Sequence, residues 1–306
     1  MLALGCAPLA GLYTEVDENQ AHATVHAALD RGWRLFDTAP HYGVGLSEER
    51  LGRALRGVSR DRFEVQTKVG RVLVDGADAS SIFASTPARH SEFDFSRDGI
   101  LRSFESSLSR LQLDRVDSLL LHDPDDHWQQ AIDEAYPTLA ELRSQGVVAR
   151  IGVGMNHSEP LARFARETDL DVFMIAGQLT LLDDRAIDVL LPATSGRTVL
   201  AAAVFNSGVL AGGDTFFYGD IPAWVRDKVA ALDAICARFD VPLAAAALQY
   251  PLVRLTAGTA RRRADVHGVV VGARSPEEVD EDHRLVRLPL PPELWRELGF
   301  AGLVRS

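Results

Sequence analysis

Asp37, Tyr42, Lys68 and His122 carry complementary acid–base chemistry, and each stands at or just past the end of a short apolar run. Asp37 follows Trp33-Arg34-Leu35-Phe36, and Tyr42 lies five residues further along the same loop. Lys68 follows Phe63-Glu64-Val65-Gln66-Thr67, and His122 follows Ser118-Leu119-Leu120-Leu121. A phenol alone is a poor acid or base at neutral pH. A neighbouring ammonium lowers the cost of the phenolate, and an imidazole can orient a substrate oxygen. The carboxylate would keep the lysine charged and in place. Taken singly, each residue has a plainer role: loop packing for Tyr42, surface charge for Lys68, a strand cap for His122. The shared position at strand ends favours proton transfer to or from an oxygen.

For the four to meet, the runs must be parallel strands of one closed sheet, because such barrels build their sites at the C-terminal strand ends. The rest of the sequence supports that. Strand-like runs at 2–6, 34–37, 63–67, 116–121, 150–153, 172–175, 198–204 and 268–271 alternate with helical patterns. The helical stretches fall at 17–31, 47–56, 96–111, 128–145, 158–167, 183–190, 225–239, 243–250 and 275–282. Eight strand–helix units predict an α/β fold, a (β/α)8 barrel forming one domain over 1–306 with long loops at the C-terminal mouth. The longest non-periodic stretch, 70–95, is expected to be a lid or substrate wall. Trp128, Phe216, Phe217 and Tyr218 are further candidates for pocket walls.

Composition narrows the function. The 306 residues include 43 acidic and 32 basic side chains, a net charge of −11, which argues against nucleic acid as a partner. Arg261-Arg262-Arg263 is short and isolated and reads as a solvated loop. No apolar run approaches a membrane span, and no leader is evident, so a cytoplasmic location is expected. Cys6 and Cys236 read as buried thiols, and no metal-ligand spacing stands out. A hydrolytic metal site at Asp37, His41 and His122 would have to tolerate Lys68 among its ligands, so no metal is expected.

The segment Phe36-Asp37-Thr38-Ala39-Pro40-His41-Tyr42-Gly43, with Ser47-Glu48 after it, resembles the second-strand signature of the aldo-keto reductase superfamily. Thr67-Lys68 and Leu121-His122 match that family's next two catalytic positions. Ile151-Gly152-Val153-Gly154-Met155-Asn156 resembles its fifth-strand motif. The resemblance covers nearly the whole chain. It implies a dinucleotide across the barrel mouth, without the Gly-rich Rossmann fingerprint, which is missing here. By the same resemblance Asn156 and Gln178 hold the nicotinamide carboxamide and Phe205 offers a stacking face. Further cofactor contacts are implied at Asn206, Gly272, Arg274, Glu278 and Asp282.

Family members that favour NADP carry Lys-Ser after the last strand, then an arginine for the 2′-phosphate. Gly272-Ala273-Arg274-Ser275-Pro276-Glu277-Glu278 puts Glu278 at that arginine's position, which favours NAD over NADP, although Arg274 could turn toward a phosphate. The runs 201–208, 243–250 and 271–274 look closest to the branch containing D-threo-aldose 1-dehydrogenase (L-fucose dehydrogenase) and pyridoxal 4-dehydrogenase. That implies oxidation of a sugar lactol at C1 to a lactone. Pyridoxal oxidation and general NADPH-dependent reduction of aldehydes or ketones are the alternatives, and a nucleotide-sensing regulatory subunit is a third. Residues 256–263 look longer than the branch's usual connection. Oligomeric state is left open.

Overall fold

The computed structural model describes residues 1–76, 82–84, 86–216, 219–253 and 266–305, excluding the side chains of 266 and 267. Ten strands occur among them: β1 (Leu2–Gly5), β2 (Leu35–Asp37), β3 (Glu64–Val69), β4 (Arg71–Asp75), β5 (Arg89–Phe93), β6 (Ser118–His122), β7 (Arg150–Met155), β8 (Val172–Ala176), β9 (Thr198–Ala202) and β10 (Val266–Gly272). Eight of these form a closed barrel in the order β1-β10-β9-β8-β7-β6-β3-β2, and every pairing within it is parallel. The remaining two, β4 and β5, make an antiparallel hairpin outside the barrel. The expected (β/α)8 architecture is therefore observed.

Period-two alternation explains the layering. Ala3, Leu35, Leu120, Val172, Met174, Leu200 and Val270 point inward and form one apolar plug. The larger core lies outside the strands, where residues such as Val65, Leu119, Val153 and Phe173 meet the helices. Asp37 pairs with Gln66 in register, Lys68 with Leu120, and His122 with Gly154. Two residues beyond Gln66 and Leu120 on their own strands, Lys68 and His122 return to the interior face, toward the mouth. Apolar filling below and ionisable groups above is what a barrel sealed at one end requires.

The helices start where local chemistry predicts. Asp17 caps Glu18–Asp30 by accepting from Gln20 N at 2.8 Å, and Ser96 caps Arg97–Leu111 by accepting from Gly99 N at 3.0 Å. The helical stretch expected at 128–145 is interrupted by a π-type turn, Ala131–Ala135, which periodicity does not reveal. Pro292–Phe300 adds a helix that the pattern reading did not assign. The stretch 70–95 is not structureless, since the β4–β5 hairpin occupies both its ends. Gly70 makes the exit into it possible: its φ is +95°, and a Cβ there would lie 2.1 Å from the Phe95 ring. Phe217, Tyr218 and residues 256–263 lie outside the described residues.

Candidate active site

The structure brings Asp37, Tyr42, Lys68 and His122 together at the C-terminal end of the barrel. Asp37 ends β2, His122 ends β6, and Lys68 lies one residue inside β3 rather than beyond it. Tyr42 opens the short 3-10 turn Tyr42–Gly45. Lys68 Nζ donates to both Asp37 oxygens, at 2.9 and 2.8 Å, to Thr38 O at 3.0 Å and to Tyr42 Oη at 3.1 Å. Gln66 Nε2 adds a bond to Asp37 Oδ1 at 2.7 Å. Burial alone would lower the lysine's pKa. The Asp37 charge and the Tyr42 contact outweigh it, and the ammonium is held above its ordinary value. No cluster of three His, Cys, Asp or Glu suited to a metal occurs among the described residues.

Two buried contacts hold the backbone around this network. Ser47 Oγ donates to Cys6 O at 2.8 Å and lies 2.9 Å from Thr38 Oγ1. Glu48, fully buried, accepts from Thr67 Oγ1 at 2.6 Å and from Arg110 Nε at 2.7 Å. Ser47-Glu48 thus fixes the residues flanking Asp37 and Lys68. Cys6 itself is a buried free thiol whose pKa burial raises.

The His122 ring lies edge-on to Tyr42, with centroids 5.8 Å apart. Burial first, then the Lys68, Arg71 and His41 charges, push its pKa well below the ordinary value, so the imidazole is neutral. Its Nδ1 is buried without a hydrogen-bond partner among the described residues, and its Nε2 lies 3.6 Å from Asp123 Oδ2. The hairpin borders this centre. Ser91 Oγ on β5 is 2.8 Å from His41 Nδ1, and Phe83 packs against His41 and Tyr42 at 6.3 and 6.5 Å between centroids. Trp128, by contrast, is packed on Phe164 with Arg163 over its ring, and Phe216 meets Trp224 edge-on.

The residues expected around a dinucleotide follow the ends of β7, β8, β9 and β10. Asn156 is exposed directly after β7. Gln178 is buried, and its Oε1 accepts from Ser158 N at 2.8 Å and Ser158 Oγ at 2.7 Å, which leaves its NH2 end as the donor for a ligand. Ser158 was not singled out in the sequence, since its partner is distant in the chain. Phe205 is half-buried against the core. Asn206 is buried, its Oδ1 without a partner among the described residues, in a turn where Ala203, Asn206 and Ser207 all have positive φ. Buried orphan acceptors and left-handed backbone of this kind persist where surroundings or a ligand repay them.

Gly272, level with Gly5 in β1, admits no side chain: a Cβ would lie 2.8 Å from Pro8 Cγ. Arg274 and Glu278 are paired with each other, with Nη2 and Nε donating to Oε1 at 2.6 and 2.9 Å and Arg274 N donating to Oε2 at 2.7 Å. Asp282 is buried nearby, and its pKa is raised to about 8 by burial, then by Glu278 and Glu281.

An eight-stranded parallel barrel with Tyr42, Lys68, Asp37 and His122 gathered at its C-terminal end has the architecture of a barrel-type oxidoreductase. A family model for the aldo/keto reductase family matches residues 1–299, and the chain belongs to that family, whose members use nicotinamide cofactors. It is 40% identical to D-threo-aldose 1-dehydrogenase from Pseudomonas sp, over 99% of this chain and 94% of that protein. It is 34% identical to pyridoxal 4-dehydrogenase from Microbacterium luteolum, again over 99% and 94%. In fold it is similar to a holo aldo-keto reductase from Bacillus halodurans, with a TM-score of 0.76, 24% identity, and coverage of 99% of this chain and 92% of that one. No helix among the described residues is long and apolar enough to cross a membrane.

Proposed function

We propose that the protein oxidises the lactol form of an aldose at C1 to a lactone, with NAD as the preferred cofactor. The carrying observation is Tyr42 Oη at 3.1 Å from an ammonium that Asp37 holds charged, beside a neutral His122. The 40% identical aldose dehydrogenase supports the substrate class. Tyr42 takes the anomeric hydroxyl proton, because a cation within hydrogen-bond reach favours the phenolate. Asp37 positions Lys68, and His122 hydrogen-bonds the reacting oxygen without competing for its proton. Bound nicotinamide would supply the two-electron acceptor at C1.

Asn156, Gln178 and Asn206 supply amide groups for the nicotinamide end, Phe205 a ring face, and Gly272 close backbone approach. At the other end Glu278 would hold the ribose diol, and its pairing with Arg274 would disfavour a 2′-phosphate, with Asp282 beside it. The protein is expected to act on a small molecule in the cytoplasm, as a single barrel domain.

Steady-state kinetics test the reading. L-fucose, D-arabinose, L-galactose and pyridoxal are assayed for oxidation with NAD and NADP, and aromatic aldehydes for reduction with NADPH. Aldose oxidation with NAD is expected to give the highest kcat/KM. Faster oxidation of pyridoxal, favoured by the 34% identical relative, would move the substrate to that vitamer. Faster NADPH-driven aldehyde reduction would make the protein a general carbonyl reductase.

A further inference from the structure

A second ion pair stands beside His122 that the proton-transfer network does not use. Asp123 follows β6 directly, with φ +48° and its N–H bonded to Gly154 O at 3.0 Å. Arg71 opens β4, just past the end of the neighbouring β3. Arg71 Nη2 donates to Asp123 Oδ2 at 2.8 Å, with the two side chains 17% and 25% exposed. The 3.6 Å from Asp123 Oδ2 to His122 Nε2 is too long for a hydrogen bond.

Neither partner is saturated. Asp123 Oδ1 accepts no hydrogen bond among the described residues, Nη2 is the only guanidinium nitrogen of Arg71 that donates there, and Arg71 Nε is buried without an acceptor. Aromatic surface adjoins the pair. The Arg71 guanidinium lies 4.2 Å from the Phe93 ring centroid, and Phe93 is 44% exposed. His127 packs on Phe93 and Phe95 at 4.8 and 5.4 Å.

A carboxylate acceptor and a guanidinium donor side by side match two adjacent hydroxyls, one donating and one accepting. The partly exposed Phe93 ring adds apolar surface suited to the C–H groups of a sugar. We propose that Asp123 and Arg71 form the subsite that recognises a vicinal diol of the polyhydroxylated substrate, next to the reacting oxygen at His122. The inference rests on the lactol reading and deepens it: the pair makes the site select hydroxyl-rich rings over simple aldehydes. Burial raises the Asp123 pKa, and Arg71 opposes the rise, so a hydroxyl donor would further favour the ionised acceptor.

A cycle of residue against substrate hydroxyl tests this. kcat/KM is measured for L-fucose and for its 2-, 3- and 4-deoxy analogues with the wild type, Asp123→Asn and, as a second variant, Arg71→Gln; melting curves verify folding. For at least one deoxygenated position the wild type should lose about 10- to 100-fold, and the variants should lose only a few-fold on the same change. Equal losses on the parent sugar and all analogues would overturn the proposal and place the pair's effect on His122 or the fold. If the wild type oxidises no aldose, the lactol reading fails by itself. The subsite is then read from inhibition of aldehyde reduction by L-fucono-lactone: a Ki at least tenfold weaker in Asp123→Asn supports it, and no inhibition or an equal Ki overturns it.

Discussion

Two of the cation–carboxylate pairs at the barrel mouth are of like chemistry in opposite surroundings. Lys68–Asp37 is nearly sealed, with side chains 2% and 3% exposed, while Arg274–Glu278 is 46% and 37% exposed. The sealed pair is bound by further groups, Thr38, Tyr42 and Gln66, so its geometry is set before any substrate arrives. Splitting it would strand a charge away from water, at a cost of roughly 3–5 kcal/mol. The exposed pair contributes about 0–1 kcal/mol and can be parted by a ligand at little expense. Burial rather than charge type therefore separates the proposed reaction centre, which is fixed, from the proposed recognition end, which can adapt.

The sharpest test of the fixed end is Tyr42→Phe. It removes the transferable proton while preserving the ring, so kcat should fall by about three orders of magnitude with the melting temperature little changed. Near-normal turnover would move proton transfer elsewhere.

Next comes Lys68→Met against Arg274→Met, compared by urea denaturation. The first should destabilise the protein by about 3–5 kcal/mol, as Asp37 is left buried without its cation. The second should cost about 1 kcal/mol or less. Similar losses would erase the distinction between the pairs. Raising the pH should restore little of the Lys68→Met activity, since no ammonium remains to support the phenolate.

At the adaptable end, Glu278→Arg is expected to raise the NADP-to-NAD ratio of kcat/KM by tenfold or more, through a charge-assisted contact to the 2′-phosphate. A wild type that already prefers NADP would remove the basis for assigning NAD to Glu278.

The smallest effect concerns Asp282. Its folded pKa, about 8, lies above the unfolded carboxyl value, so the folded state binds the extra proton between the two. Stability should then decline as pH rises from about 4 to 8 and level off above. Asp282→Asn should flatten that slope and be more stable than wild type at pH 8 by at least about 1 kcal/mol, with little difference near pH 4. Parallel melting-temperature profiles for the two proteins would argue that the carboxyl is ionised throughout.

Much of the site was legible because its residues end short apolar strands, and strand ends in a parallel barrel converge by topology. Asp37 and His122 are terminal strand residues, and Lys68 is one residue inside its strand. Pairings between distant segments were not legible. Ser158 with Gln178, Arg71 with Asp123, and Glu48 with Thr67 and Arg110 become partners only once the barrel exists. The β4–β5 hairpin escaped notice for a different reason. Its strands stand partly exposed on both faces, so 71–75 and 89–93 lack the apolar run that marks the barrel strands. The relation of Arg274 to Glu278 lay between. Both were visible as charges four residues apart, but only the folded turn makes them each other's partner.

Closure of the sheet through β1 and β10 has a consequence for assembly. β1 pairs with β2 and, across more than 260 residues of sequence, with β10, so the sheet cannot close until β10 is available. Until then two open strand edges persist, and the loop to be closed is the longest in the molecule. The apolar plug at Ala3, Leu35 and Val270 is completed only by that event. A chain lacking β10 should therefore present unpaired strand edges, and holdase chaperones should bind it until β10 is available and not afterwards.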